Sequence, residues 1–508
     1  MSSPAQPLAA SLVQSVDWLA IAPPTIAAVV ALAVLVADLF VAEHRKALLG
    51  WTSVAGLAAA TLMLLPLLDG DRSTFCLTRD AAVCSYTADR FTLVIQFLVL
   101  GGALLAALLS VTALKDARRT LPEGEYWFLL LSSAAGAALL PASRDLATLI
   151  VALEVASLPA FALVGLKYGD RKSSEAALKF FLSSVTATAV SLMGISFLYA
   201  STGTLYLTQV ADRIQHVDGQ LHTLADTGVV LTLVGFAFKT AAVPFHFWVP
   251  DTYVGAPLPI AAYLSVIGKA VGFSGLILVT VVALPSYADV WGPALAALAA
   301  LTMTVGNLGA LRQQATRAYS AVRLLAWSSV GQAGYLLVPI AAAAYSGDAE
   351  KSIGSTVAYA LMYGAVNLGA FAVAALVGRT RSLNRVTDYR GLYASNPLSA
   401  LLLAFFLLCL AGLPPGVIGL FAKVTVFSAA VDAGLGWLAV IMAVNVVIAL
   451  FYYLQWTALL FRAAPEGEAG KHRVPAPLTA ALALTGVLGI ALSGAPQLVL
   501  RFTDTGLF

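Results

Sequence analysis

The chain has 508 residues, of which 60% are hydrophobic and only 11% are charged, with a formal net charge of +3. A water-soluble domain carries about 25% charged residues, so this composition excludes a soluble globular enzyme; the net charge itself says little about partners, and no nucleic-acid partner is expected. Apolar stretches of about 20 residues, each long enough to cross a bilayer, recur from end to end and predict an all-α polytopic membrane protein rather than a β-barrel of short alternating segments.

The N-terminal segment MSSPAQPLAASLVQSVD lacks the basic start of a cleaved signal peptide, so the first span is expected to stay and to act as its own insertion signal. About fourteen transmembrane helices are predicted, near residues 19–41, 51–69, 91–114, 125–141, 145–167, 174–201, 227–247, 257–284, 290–312, 321–345, 352–378, 397–430, 437–461 and 475–495. They form one integral membrane domain, 1–508: three N-terminal spans (1–124), a first repeat (125–284), a second repeat (290–461) and a final span (475–495).

The loop between spans two and three holds Cys76 and Cys84. An oxidising compartment permits a bridge between them; two unpaired loop thiols are the alternative. Cys409 falls in an apolar span and is expected to pack as a small residue. Span six carries Ser183, Ser184, Thr186, Thr188 and Ser191, which either support water or let helices pack closely. The segment 379–396, with four arginines, reads as a connecting helix along the membrane surface.

Two spans carry similar interruptions. In GFAFKTAAVPFHFWVPD, Pro244 stands inside the apolar run of span seven; in CLAGLPPGVIGLFAKVTVF, Pro414 and Pro415 stand in mid-span twelve. Proline removes a backbone donor and clashes with the preceding turn, so the freed groups need protein or a polar cavity around them. Paired broken helices point to inverted repeats around a transport path. The breaks lie five spans apart, an odd number, so spans 4–8 and 9–13 are expected to be two inverted five-helix repeats whose breaks face a hydrated interior.

When loops on alternate sides are compared, 19 Lys and Arg residues fall on one side and 7 on the other. The richer side is expected to be cytoplasmic, with both termini outside. The three remaining basic residues, Lys239, Lys269 and Lys423, lie inside predicted spans, as does Glu154. A charge at the bilayer centre costs about 2.5–3.5 kcal/mol even on the lenient insertion scale. A buried Glu–Lys pair with two snorkelling lysines is the plain structural account. The functional account uses the adjustable proton affinity of lysine: a neighbouring carboxylate holds its proton and separation releases it, so Glu154 beside a lysine is a switch and a row of lysines is a relay. Sodium sites need clustered carboxylates and carbonyls, and one acid in mid-membrane favours the proton. His246, after Pro244, is a candidate for passing protons to a half-channel, or an interfacial residue beside Trp248. No CxxC cluster, haem-spaced His pair, dinucleotide turn or phosphate loop is present, so no cofactor or metal site is expected in this chain.

The segments FKTAAVPFHFWVPDTYVGAPLPIAAYLSVIGKAVGF, LAGLPPGVIGLFAKVTVF, ALEVASLPAFALVG and RLLAWSSVGQAGYLL resemble the antiporter-like subunits of respiratory complex I, and motifs in the right order make the resemblance specific for that superfamily. YVGAPLPIAAYLSVIGKAVGF resembles the N type more than its paralogues, Lys423 stands where the M type usually has glutamate, and the L type's long lateral helix has no counterpart. The resemblance implies a proton-translocating subunit of NADH-quinone oxidoreductase in a bacterial plasma membrane. Glu154 and Lys239 would be the ion pair beside the uptake path, Lys269 the central relay residue, and Lys423 the one nearer the exit. It also implies FMN, iron–sulfur clusters and quinone in partner subunits, with M-type and small K/J/A-type subunits and lipid as neighbours. Many relatives carry histidine where this chain has Gln332 and lysine where it has Val322, which puts the tenth span's relay role in doubt beyond what water supplies. Two alternatives are a D-type subunit of a multi-subunit sodium/proton antiporter and a non-pumping structural membrane subunit.

Overall fold

A computed structural model describes residues 16–78, 80–117, 121–463, 474–503 and 506–508. Of the basic residues counted by side, Arg79, Arg118, Arg119, Lys471 and Arg473 lie outside the described residues. The helices are α1 (Ala22–Asp38), α2 (Ala47–Leu62), α3 (Arg90–Asp116), α4 (Glu123–Leu139), α5 (Leu146–Gly165), α6 (Arg171–Thr202), α7 (Leu207–Arg213), α8 (His222–Thr240), α9 (Trp248–Gly255), α10 (Leu258–Tyr263), α11 (Lys269–Ile277), α12 (Ala288–Leu311), α13 (Ser320–Ala342), α14 (Ala349–Thr380), α15 (Leu392–Ser395), α16 (Pro397–Ala411), α17 (Val417–Asp432), α18 (Gly436–Leu460), α19 (Ala476–Gly494) and α20 (Gln497–Leu500).

Eleven helical stretches among the described residues are long and apolar enough to cross a membrane, and α1 and α16 are apolar but shorter. The chain is therefore a polytopic helical membrane protein. It is not purely helical. Residues 72–88 form an antiparallel hairpin, β1 (Arg72–Leu77) and β2 (Asp80–Ala88), in which Cys76 pairs with Cys84 and their sulfur atoms are bonded. The β-branched and aromatic side chains of this stretch suit a pleated surface. One face of the hairpin is held down: the Tyr86 hydroxyl donates to the Ala20 carbonyl, and Asp89, just after β2, forms a buried ion pair with Arg144.

The connecting helix expected over 379–396 is also not formed. Helix α14 runs on to Thr380, and only a short turn at Val386–Tyr389 and α15 follow. Asn384 and Gly391 take positive φ values of 41° and 74°, which a continuous right-handed helix cannot contain.

Helix α14 is the hub. Most of its 32 residues are buried, and it packs against α3, α10, α13, α16, α17 and α19. Apolar burial cannot drive association between helices already in lipid, so close backbone approach matters more. At the α12–α13 crossing a Cβ on Gly306 would lie 2.2 Å from the Gly331 nitrogen. In α6, Ser191 acts as packing glue: it donates to the Thr232 carbonyl at 3.0 Å and accepts from the Gly235 N–H at 2.7 Å. Ser183 and Thr186 instead bond carbonyls of their own helix.

Candidate functional site: a buried lysine axis

Helix α8 stops at Thr240, and the next residue, Ala241, takes a left-handed φ of 68°. The freed backbone groups find partners inside the protein. The Ala242 N–H bonds the Ala237 carbonyl, the Val243 N–H donates to Thr302 Oγ1 at 2.9 Å, and Trp248 Nε1 donates to the Phe238 carbonyl at 3.3 Å. Thr302 belongs to α12, so the second half of the chain helps to satisfy the break in the first. A parallel interruption separates α16 from α17, again after a left-handed residue, Gly412 with φ of 85°. Pro244, Pro414 and Pro415 are exposed at the outside of the chain. The prolines themselves are exposed, while the backbone beside the first break is met by Thr302 and the flanking helix ends carry the lysines inward.

Lys239, in the last turn of α8, is only 3% exposed. Its Nζ donates to Ser157 Oγ at 2.6 Å and lies 5.6 and 5.3 Å from the ring centres of Phe161 and Phe180. Ser157 is one turn after Glu154 on α5, a spacing that puts both on one side of the helix. No salt bridge joins Glu154 to Lys239 directly among the described residues; the lysine's hydrogen bond to α5 is made to the serine. Glu154 is half-buried and flanked on α5 by exposed Val151, Val155 and Leu158, so it stands at the edge of the chain while the ammonium stays within.

Lys269, 2% exposed, begins α11. The five residues before it, Leu264–Gly268, form a turn of π-helix, and a second π turn runs over Leu278–Ala283. Such wide turns are frequent at functional sites. Lys269 Nζ donates to Ser329 Oγ at 2.5 Å and to the Tyr253 hydroxyl at 3.4 Å. The Tyr363 hydroxyl lies 3.1 Å from the same Ser329 oxygen and 2.9 Å from the Ser265 carbonyl, and Asn367 donates to Ser265 Oγ at 2.6 Å. Helix α11 meets α8 at Gly272, where an added Cβ would lie 2.4 Å from the Thr240 nitrogen. No chain of direct hydrogen bonds joins Lys239 to Lys269 among the described residues.

Lys423, on α17, donates to the carbonyls of Leu410 and Ala411 at 2.9 and 2.8 Å. These acceptors lack an α-helical donor because α16 ends there, so the break itself supplies the lysine's partners. Lys423 lines a cavity of about 20 Å³ with Gln332, Tyr359 and Tyr363, room for about one water molecule. Tyr359 donates to Gln332 Oε1, whose amide nitrogen lies 3.3 Å from the Tyr453 hydroxyl; Tyr453 bonds Ser328 at 2.5 Å. Tyr363 therefore belongs both to the Lys269 cluster and to the Lys423 cavity.

His246 is half-buried beside the Trp327 ring, 5.6 Å between centres, and is hydrogen-bonded to none of the three lysines among the described residues. No group of three or more His, Cys, Asp or Glu among the described residues is placed to hold a metal. Sequence reasoning missed Ser157, Tyr253, Ser329 and Tyr363. Only the stripe Tyr359, Tyr363, Asn367 in AYALMYGAVNLGAF, polar at every fourth position of an apolar span, carried a signal for part of this set.

An interrupted-helix membrane fold with three buried lysines fits the class of antiporter-like membrane subunits. The family described as "NADH:quinone oxidoreductase/Mrp antiporter, TM" matches residues 143–449. The chain is 74% identical to NADH-quinone oxidoreductase subunit N 2 of Streptomyces griseus, over 98% of this chain and 96% of that one. It superposes on a chain of respiratory complex I from Thermus thermophilus with a TM-score of 0.75 at 32% identity, covering 94% of this chain and 98% of the other. A chain of the Mrp complex from Dietzia sp. matches with a TM-score of 0.80 at 20% identity over 96% of both chains, a likeness of fold alone. The chain belongs to the NADH:quinone oxidoreductase/Mrp antiporter transmembrane family, as a member of the subunit N type.

Proposed function

We propose that this chain carries protons across a bacterial plasma membrane as the antiporter-like subunit of an NADH:quinone oxidoreductase. FMN, iron–sulfur clusters and quinone would be held by partner subunits, with M-type and small K/J/A-type subunits as membrane neighbours. The observation that carries this reading is the connection from Lys269 through Ser329 and Tyr363 to the cavity that Lys423 lines. Hydroxyls can accept and donate a proton in one step, and one water in the cavity completes the path to Lys423.

In this reading Glu154 tunes Lys239 at the uptake end. Ser157 holds the ammonium within one helical turn of the carboxylate, close enough for a rotamer change to make or break the ion pair. Lys269 is the middle station and Lys423 the outlet. A surface cavity of about 510 Å³ lined by Lys351, Ser352, Ser355, Thr425, Ser428 and Asp432 opens at the ends of α14 and α17, the helices that carry Tyr359 and Lys423, and is the natural exit. Gln332 serves through its bonds to Tyr359 and Tyr453 rather than as a titrating group. His246 would act only at the edge of the path.

Fourteen spans follow if α1, α4 and the α16–α17 pair also cross the bilayer. Two inverted repeats, α4–α11 and α12–α18, are supported by the breaks after Ala241 and Gly412. The lysine precedes the break in one and follows it in the other, so Lys239 and Lys423 are not equivalent positions. The basic-rich side would face the cytoplasm and both termini the outside.

Proton translocation in vesicles, normalised to assembled complex, tests the reading. Lys239→Ala and Lys269→Ala should assemble and pump slowly; parental pumping in both would make these lysines structural. The runner-up is a subunit of an Mrp-type antiporter, for which the shared fold is the supporting observation. Co-purification with flavin and iron–sulfur proteins favours the first reading, and their absence the second.

A further inference from the structure

A cavity of about 280 Å³ lies where the ends of α6, α9 and α13 meet. Four cationic side chains line it, Lys172, Lys179, Arg317 and Arg323, against two acidic ones, Glu175 and Asp251. The acids are already engaged. Lys179 bridges Glu175 at 2.8 Å and Asp251 at 2.9 Å, and Arg323 reaches Asp251 at 3.2 Å. Lys172 and Arg317 have no carboxylate in salt-bridge range among the described residues. Lys172 instead lies 4.3 Å over the ring of Tyr319, which is fixed in place by a φ of 60° and an N–H bond of 2.6 Å to the Leu383 carbonyl. Arg323 spends one N–H on Asp251 and keeps its Nε buried without an acceptor.

The site thus has two positive charges without a carboxylate partner, a demand for an anion with several acceptor oxygens. Its depth narrows the choice. Lys172 and Arg323 stand in the first turns of the spanning helices α6 and α13, which places the cavity at the level of lipid headgroups, on the side where the sequence concentrates its Lys and Arg. On α6 beside and beyond Lys179, Leu178, Phe181, Leu182 and Val185 are all exposed and offer an apolar track for an acyl chain.

We propose that this cavity binds the phosphate headgroup of an anionic phospholipid, with Lys172, Arg317 and Arg323 as its direct contacts and the outer face of α6 as the seat of its chain. Basic pockets between spanning helices at the membrane surface are suited to such headgroups. The bound phosphate would tie α6 and α13 to α9, the short helix that carries Tyr253 against Lys269. The binding claim itself does not depend on the pumping role.

The test uses the intact complex in lipid nanodiscs with a photoactivatable phosphatidylglycerol, and phosphatidylcholine of the same chains as the control. The phosphatidylglycerol should label peptides containing residues 172–185 or 317–327, and phosphatidylcholine should label them weakly. The Lys172→Gln/Arg317→Gln variant, which leaves the Lys179 and Arg323 bridges to Asp251 intact, should weaken labelling about thirtyfold, the factor expected for two basic residues at an anionic headgroup. Arg317→Gln alone, at an exposed position, gives an intermediate loss if the double variant fails to assemble. Equal labelling by the two lipids, or unchanged labelling in both variants, overturns the proposal. Loss of labelling in excess inorganic phosphate would assign the site to free phosphate and overturn the lipid. Crosslinks that fall on a partner subunit covering the cavity would overturn it as well.

Discussion

The ammonium of Lys269 lies 2.5 Å from the hydroxyl of Ser329, sixty residues further along the chain. The same hydroxyl is 3.1 Å from Tyr363, so one serine couples a lysine at a π turn to a tyrosine that borders the cavity of a second lysine.

That coupling sets the first expectation. Ser329→Ala and Tyr363→Phe should each slow proton pumping by about tenfold, since leaving a buried polar group without its partner costs roughly 1–3 kcal/mol. The complex should still assemble, because both substitutions nearly conserve volume. Pumping per assembled complex is the readout, and parental rates in both variants would remove Tyr363 from the path.

At the uptake end, Lys239→Ala should lower pumping by about a hundredfold or more, the usual scale for a positioned proton-transfer group. Glu154→Ala should act in the same direction, and Glu154→Asp should be milder because the charge survives at shorter reach. Ser157→Ala discriminates the direct pair from the serine contact: it should impair pumping although Glu154 remains. Full activity of Ser157→Ala would show that the lysine finds its carboxylate without the serine.

The second break is tightly closed. A Cβ on Gly419 would lie 1.8 Å from the Cys409 carbonyl oxygen, an overlap that only a shift of α17 away from α16 can relieve. Gly419→Ala should therefore separate Lys423 from the Leu410 and Ala411 carbonyls and cost about 1–3 kcal/mol in stability, as overpacking does. Thermal stability and assembled yield should both fall. An alanine variant of normal stability would mean the break is looser than it stands here.

The hairpin offers a chemical check. Alkylation of the denatured, unreduced protein should modify Cys409 alone, and reduction should release Cys76 and Cys84. Three alkylated cysteines without reduction would show that the bridge is not formed in the membrane.

Orientation can be read directly. Single-cysteine reporters near Arg385 should react only with reagent supplied from the cytoplasmic side, and reporters near Asp80 only from outside. The reverse pattern would invert the inlet and the outlet.

The chain's character as a membrane protein, its two breaks and its three buried lysines were legible in the sequence, because hydropathy, proline chemistry and an isolated charge in an apolar run are local properties. Asp80–Ala88 read as a mere loop, since a short hairpin gains its stability from Ala20 and Arg144, which lie far away in the chain. The exposure of Pro244, Pro414 and Pro415 was not readable either: helix breaking is local, but what covers a broken segment is set by its neighbours. Tertiary structure alone decided which atoms each lysine meets. Lys239 hydrogen-bonds Ser157, Lys269 meets Ser329, and Lys423 meets the open carbonyls of α16. Those pairings depend on how each helix is rotated and how deep it sits against the next. In lipid that is fixed by the close approach of small residues such as Gly272 and Gly306 across many helices at once, which no single segment encodes.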